Sequence, residues 1–246
     1  VLVVQNAKGG KEVGEVELLF GSNGKIAAKN WRKLRVDSRL DSHADPGLSA
    51  MLMPYRLKVD SVASTVTAPI DGDFSPTEML NFASDYVMER GRRIVGNKRI
   101  DLSIMNKGGI RRNFTGKELT VGEIISTFPF ENRVVVLEIK GSDLSAVFDI
   151  MARQKGNGIS HNAKATFKPD FSGCEKVEIN GRPIDPNRTY RVATIDYLAG
   201  GGDNMTPLKN GRIIAESPVI LYRDMLDHLS GNKTLLKRDP NPRFSN

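Results

Sequence analysis

The sequence predicts an α+β fold, in which strands and helices mix without a strict strand–helix–strand rhythm. Two further observations support it. Turn signals of the hairpin kind join short strand-like runs, and at least one helix carries a complete N-terminal signature. Residues 12–20 and 25–36 are strand-like around the turn Gly21-Ser22-Asn23-Gly24. Residues 47–65 read as a helix with Leu48, Leu52, Tyr55, Val59 and Val62 on one face, interrupted by Pro54. Pro69-Ile70-Asp71-Gly72 is a break. Ser75 then caps a helix, Pro76 suits its first position, and Glu78 completes a capping box. Met79, Phe82, Ala83, Tyr86 and Val87 form its apolar stripe, to about Glu89.

Ile100–Met105 reads as a buried strand that delivers the chain into Asn106-Lys107-Gly108-Gly109-Ile110-Arg111. Val134–Ile139 is a strand, and Gly141-Ser142 opens a helix with Leu144, Val147, Phe148 and Met151 on one face. Ala163–Phe167, Lys176–Ile179 and Tyr190–Ile195 are strands, with Asn180-Gly181 as a hairpin turn. Asp196 to Asp203 reads as a Gly-rich loop, and Val219–Leu229 as a last amphipathic helix.

Composition is that of an ordinary globular chain: 246 residues, 39% apolar, 26% charged. Thirty-six basic residues against 29 acidic ones give a net charge of +7. The basic residues are spread out. The densest run, Arg90, Arg92, Arg93, Lys98 and Arg99, has no aromatic between its members, so it reads as a solvated surface and not as a nucleic-acid face. A phosphorylated small ligand stays open. One cysteine, Cys174, leaves no internal disulfide and no thiolate zinc cluster. No apolar run approaches the ~20 residues of a membrane span. The chain begins at Val1 and not Met, which reads as a trimmed start from which a leader could have been removed.

Three loops offer chemistry. In the first, paired glycines allow close backbone approach, Asn106 offers a donor and an acceptor, and Arg111 a planar fork of donors. In the second, Phe128-Pro129-Phe130-Glu131-Asn132, a ring beside an amide would suit a flat, polar-edged ligand, although aromatics there are more often core filler. In the third, Tyr197-Leu198-Ala199-Gly200-Gly201-Gly202-Asp203, the carboxylate could accept two ribose hydroxyls. The phosphate-loop and dinucleotide fingerprints are both missing, as is a nucleophile elbow.

Together, in this order and spacing, the loops resemble the C-terminal domain of the 5′-nucleotidase family. The shared pattern is N-x-G-G-I-R, then P-F-x-N with nineteen residues from Arg111 to Phe130, then aromatic-L-A-x-G-G-D. Leu119–Ile125 and Leu137–Leu144 resemble the family too, and the likeness covers about residues 70–230. It implies a layered fold of mixed strands and flanking helices over 71–246. Residues 1–70 would be the tail of a preceding domain plus a connecting helix, packed on the main domain.

The resemblance also implies site roles. Phe130 and Tyr197 would clamp a base, Asn132 touch its edge, and Asp203 bind the ribose. Asn106, Gly108, Gly109 and Arg111 would lie near the ribose and phosphate. Tyr197 stands where the family commonly has phenylalanine. A further family arginine is missing near Asp73, and Lys107 replaces a small residue. Family catalysis needs two bridged metal ions on an N-terminal domain. Among His43, His161 and His228, only Asp41-Ser42-His43 matches a ligand motif, and its partner motifs are absent. The expectation is therefore a nucleoside- or nucleotide-recognition domain with no catalytic residue, metal or cofactor of its own. A separate metallophosphoesterase would supply catalysis, and the setting would be periplasmic or cell-surface. The rivals are a phosphohydrolase using that Asp-Ser-His motif, and a domain that binds nothing.

Overall fold

The computed structural model describes residues 3–6, 9–231 and 234–246, and the chain divides into two units, Val1–Val59 and Asp60–Asn246. In the first, β1 (Glu12–Phe20) and β2 (Ile26–Arg35) pair antiparallel from Glu12↔Arg35 to Phe20↔Ile26. The turn between them closes through Gly24 at φ +70°, a backbone glycine adopts without strain. Asp37 caps a 3₁₀ turn over Ser38–His43. Helix α1 (Pro46–Ala63) runs through Pro54, and Asp45 caps it by accepting from the Leu48 amide at 2.8 Å. Its apolar residues Leu48, Leu52, Tyr55, Val59 and Val62 are exposed.

The second unit begins with β3 (Val66–Pro69). Helix α2 (Pro76–Ile94) has the expected reciprocal cap: Glu78 accepts from the Ser75 amide at 2.7 Å, and Ser75 Oγ from the Glu78 amide at 3.3 Å. It runs one turn further than its apolar stripe suggests. Then come β4 (Leu102–Met105), β5 (Glu118–Thr120), α3 (Val121–Thr127), β6 (Arg133–Lys140) and α4 (Gly141–Arg153). Short β7 (Gly158–Ile159), β8 (Ala163–Phe167), β9 (Cys174–Ile179), β10 (Arg182–Pro183) and β11 (Thr189–Ile195) follow. A one-turn helix α5 (Asp196–Ala199) leads to β12 (Arg212–Ile220), α6 (Leu221–Leu229) and β13 (Phe244–Ser245). Two expectations shift here. Val219 and Ile220 end a strand and do not start the last helix, and Asp196–Ala199 is a helical turn. β12 lacks clean alternation because its register slips twice against β6, which hides its period.

The main sheet has order β12-β6-β11-β4-β7, antiparallel except for the parallel pair β11–β4, where Val192 faces Leu102. A second sheet, β10-β9-β8-β13, takes the C-terminal strand as its parallel edge. This mixed, layered α+β architecture is the expected class. Helix α2 lies on the main sheet so closely that a Cβ at Gly91 would come within 2.5 Å of Ala193 Cβ. Below it, β6 contributes a run of fully buried Val134, Val135, Val136 and Leu137. Among the described residues, no helix is long and apolar enough to cross a membrane.

Gly141, at the β6–α4 corner, donates its amide to Arg188 O at 2.8 Å, and a Cβ there would overlap the Asp185 carbonyl oxygen. Backbone faces backbone, so neither side can yield by a rotamer change. Gly141→Ala is expected to cost about 3 kcal/mol, a drop in Tm of about 6–12 °C by calorimetry for a unit of this size.

Candidate functional site

The parallel alignment of β4 and β11 brings their C-terminal ends side by side, and two of the three loops leave from those ends. The first loop leaves β4 at Asn106, whose backbone is still extended, and closes as a 3₁₀ turn over Lys107–Gly109. A Cβ at Gly109 would come within 2.7 Å of Asn106 Oδ1, so glycine there lets the amide fold back over its own loop. The Arg111 amide then donates to Thr127 O at 2.9 Å, which ties this loop to the end of α3.

From that end springs the second loop, and its two phenylalanines part. Phe128 is buried, edge-on to Phe114 with centroids 6.3 Å apart, while Phe130 is 40% exposed. One is core filler and the other is presented to solvent. Asn132 is anchored through its carbonyl, which accepts from the Leu221 amide at 2.7 Å. The third loop turns through Gly201 at φ +85°, and Asp203 itself sits at φ 51°. A Cβ at Gly202 would run into the Tyr197 ring, so the glycine leaves room for that ring, which is 46% exposed.

The eight residues Asn106, Gly108, Gly109, Arg111, Phe130, Asn132, Tyr197 and Asp203 line one cavity of about 270 Å³. Its polar groups are already organised. Asp203 Oδ2 accepts from Asn106 Nδ2 at 2.6 Å, and Oδ1 accepts from the Tyr197 hydroxyl at 2.9 Å. Asn106 is buried and its Oδ1 has no hydrogen-bond partner, which leaves an acceptor free at the cavity. Arg111 rests its guanidinium over one face of Phe130, 5.2 Å from the centroid, a cation–π contact that holds it at the cavity rim. Among the described residues, the rings of Phe130 and Tyr197 make no ring contact with each other.

Lys107 turns away from this cavity. Its ammonium donates to the Gln154 and Lys155 carbonyls at 3.3 and 2.7 Å, at the end of α4, and partial burial holds its pKa below the ordinary lysine value. Sequence reasoning missed the support behind Asp203. Gln154 Nε2 donates to the Asp203 carbonyl at 2.7 Å, and Asn157 in turn donates to Gln154 Oε1 at 2.6 Å and accepts from the Lys107 amide. No motif marks these two amides, because they act across 49 residues of sequence.

A dinuclear metal centre does not fit this donor set. His43 is hydrogen-bonded to the neighbouring Ser42, His161 to Asp85, and His228 packs by Tyr86. Among the described residues, no three His, Cys, Asp or Glu side chains gather.

Residues 60–210 match the family model described as 5′-nucleotidase, C-terminal domain. UshA of Yersinia enterocolitica is 25% identical over 228 residues, covering 82% of this chain and 40% of that protein. An apyrase of Aedes aegypti is 23% identical over 238 residues, covering 88% of this chain and 42% of the apyrase. A crystal structure of a 5′-nucleotidase precursor from Thermus thermophilus superposes with a TM-score of 0.77 at 24% identity, over 96% of this chain and 50% of that one. The chain thus spans half or less of the length of these relatives.

Proposed function

The chain belongs to the 5′-nucleotidase C-terminal domain family, and from that premise we propose that it recognises a nucleoside or nucleotide in the cavity between Phe130 and Tyr197. The base stacks between the two rings, Asn132 reads its edge, and Asp203 with Asn106 takes the ribose. Gly108 and Gly109 permit close backbone approach, and Arg111 meets the phosphate. The observation that carries this reading is the pair of exposed rings on a small cavity whose other walls are a carboxylate, two amides and a guanidinium. A domain that bound nothing would gain by burying those rings, since each exposed aromatic forgoes apolar burial. At about 270 Å³ the cavity lies just below the usual small-molecule range of about 300 Å³ upward, which suits a nucleoside better than a larger ligand.

Hydrolysis, in this proposal, belongs to a separate metal-dependent phosphoesterase, with the present chain selecting the nucleotide for it. The setting is nucleotide breakdown outside the cytoplasm, in the periplasm or at the cell surface.

Calorimetry with adenosine, AMP and UDP-glucose tests the reading. Binding tighter than millimolar is expected for at least one of them. Tyr197→Ala should weaken it by about 1–3 kcal/mol, or roughly 5- to 150-fold, the worth of one base–aromatic stack. Binding unchanged by that substitution would sink the proposal.

A further inference from the structure

A second cavity lies at the other end of the same two strands. Asn106 and Tyr197 stand within two residues of the ends of β4 and β11, whereas Ile100 and Tyr190, which line the second cavity, stand at their beginnings. Seven residues of mostly extended chain separate Tyr190 from Tyr197, roughly 20 Å at about 3.3 Å per residue. The two cavities are therefore distinct sites.

The second cavity encloses about 410 Å³, and Arg92, Arg99, Arg182 and Arg188 all line it, with no acidic residue among its walls. The basic run read along the sequence as a solvated surface divides here. Arg90 is paired with Asp224 and Arg93 with Glu89, while Arg92 and Arg99 face the cavity and meet arginines from β10 and the turn before β11. Buried Asp101 takes Arg188 at 2.7 Å and Arg99 at 3.2 Å, and Asp185 lies beside Tyr190, whose hydroxyl accepts from the Asp185 amide at 2.8 Å. Arg188 also lies over the Tyr190 ring, 4.6 Å from its centroid, so its guanidinium is fixed in place. Among the described residues, the Arg92 guanidinium has Met88 Sδ at 3.9 Å as its hydrogen-bond partner and is in no ion pair, and that of Arg182 has neither a hydrogen-bond nor an ion-pair partner. Arg182 is carried by the tight Asn180-Gly181 turn, with Asn180 at φ 53° and Gly181 at φ 71°.

Four guanidinium groups line this concave space with no acidic residue among its walls, so positive charge is concentrated around it although Asp101 pairs with two of them. Concavity focuses that field, and like charges held together repel until an anion joins them. Planar forks of donors match phosphate oxygens in pairs. The space is more than ten times the ~30 Å³ share of one water, so it suits several linked phosphates better than a lone ion.

We propose that this cavity binds a soluble oligophosphate, a chain of two or three linked phosphate groups, independently of the nucleoside cavity. Tripolyphosphate is the probe, titrated by calorimetry at low and at high sodium chloride. Micromolar binding is expected at low salt, weakening as salt rises. The double variant Arg92→Gln with Arg182→Gln should weaken it tenfold or more, while its thermal unfolding stays close to the parent's because Arg182 is exposed, half-buried Arg92 is in no ion pair among the described residues, and glutamine keeps much of each stem. Phe130→Ala should leave tripolyphosphate binding unchanged. Three results would each overturn the proposal: affinity no better than millimolar at low salt, equal affinity in the parent and the double variant, or loss of affinity in Phe130→Ala, which would place the anion in the other cavity. Co-sedimentation with phosphatidate vesicles without tripolyphosphate binding would also overturn it, and would assign the arginines to a lipid surface.

Discussion

Asp203→Ala is expected to weaken adenosine binding by about 2–3 kcal/mol, roughly 30- to 150-fold, more than the loss of the Tyr197 hydroxyl alone. Hydrogen bonds to a charged acceptor are worth about 1.5–3 kcal/mol each, and in the proposed binding mode this carboxylate takes two hydroxyls of one sugar. Its removal also undoes the site. Asn106 Nδ2 loses its 2.6 Å partner, and since Asn106 Oδ1 already lacks one, a buried amide would be left with neither end satisfied. The Tyr197 hydroxyl loses its acceptor as well. Two companions separate these contributions. Asp203→Asn keeps the shape and loses the charge, so it should fall between the parent and alanine. Tyr197→Phe keeps the stacking face and frees one lone-pair site of Asp203, so its affinity should stay within about threefold, well inside one hydrogen bond's net worth. Parent-like affinity in Asp203→Ala would remove this residue from ribose recognition.

A loss of stability at least as large as that of Gly141→Ala is expected from Arg243→Ala, about 3–5 kcal/mol, as for breaking a buried ion pair from one side. Arg243 is only 4% exposed in its side chain and gathers five acceptors: both oxygens of Asp85, the Asp239 carboxylate at 2.7 Å, the Ile159 carbonyl at 2.6 Å and the Asn81 carbonyl at 3.5 Å. It fastens the C-terminal tail, whose backbone Asn81 also grips by donating to the Asp239 and Asn241 carbonyls. Asp85 and Asp239 are each about one-third exposed, so water would partly replace the lost cation, which points to the lower end of that range. At about 3 kcal/mol, Tm should fall by roughly 6–12 °C, with adenosine affinity retained because the tail does not line the nucleoside cavity.

Acid should draw on the same lock. Burial alone would raise the Asp239 pKa, but its hydrogen bonds to Arg243 and Asn241 outweigh that and hold it below the ordinary aspartate value. Its contribution is therefore whole above about pH 4 and is lost as pH falls through the lowered pKa. In Arg243→Ala that part of the acid sensitivity should diminish.

What the sequence determined by itself was local chemistry. The Ser75–Glu78 cap, the Asn180-Gly181 turn and the strand over Ala163–Phe167 are legible because each depends on residues a few positions apart. The eight candidate residues could be named as a set in advance because their loops carry a joint order and spacing. That they line one cavity was decided by the tertiary structure, through the parallel register of β4 and β11. The tertiary structure also decided that Phe128 goes inward and Phe130 outward, since one residue of separation across Pro129 cannot fix which ring the core has room for. Arg243 with Asp85, and Arg92 with Arg182, meet across 158 and about 90 residues respectively. No pattern in a linear window encodes such pairs. They exist only once the sheets have been ordered and the tail laid across α2, because charge and burial act through distance in space and not along the chain.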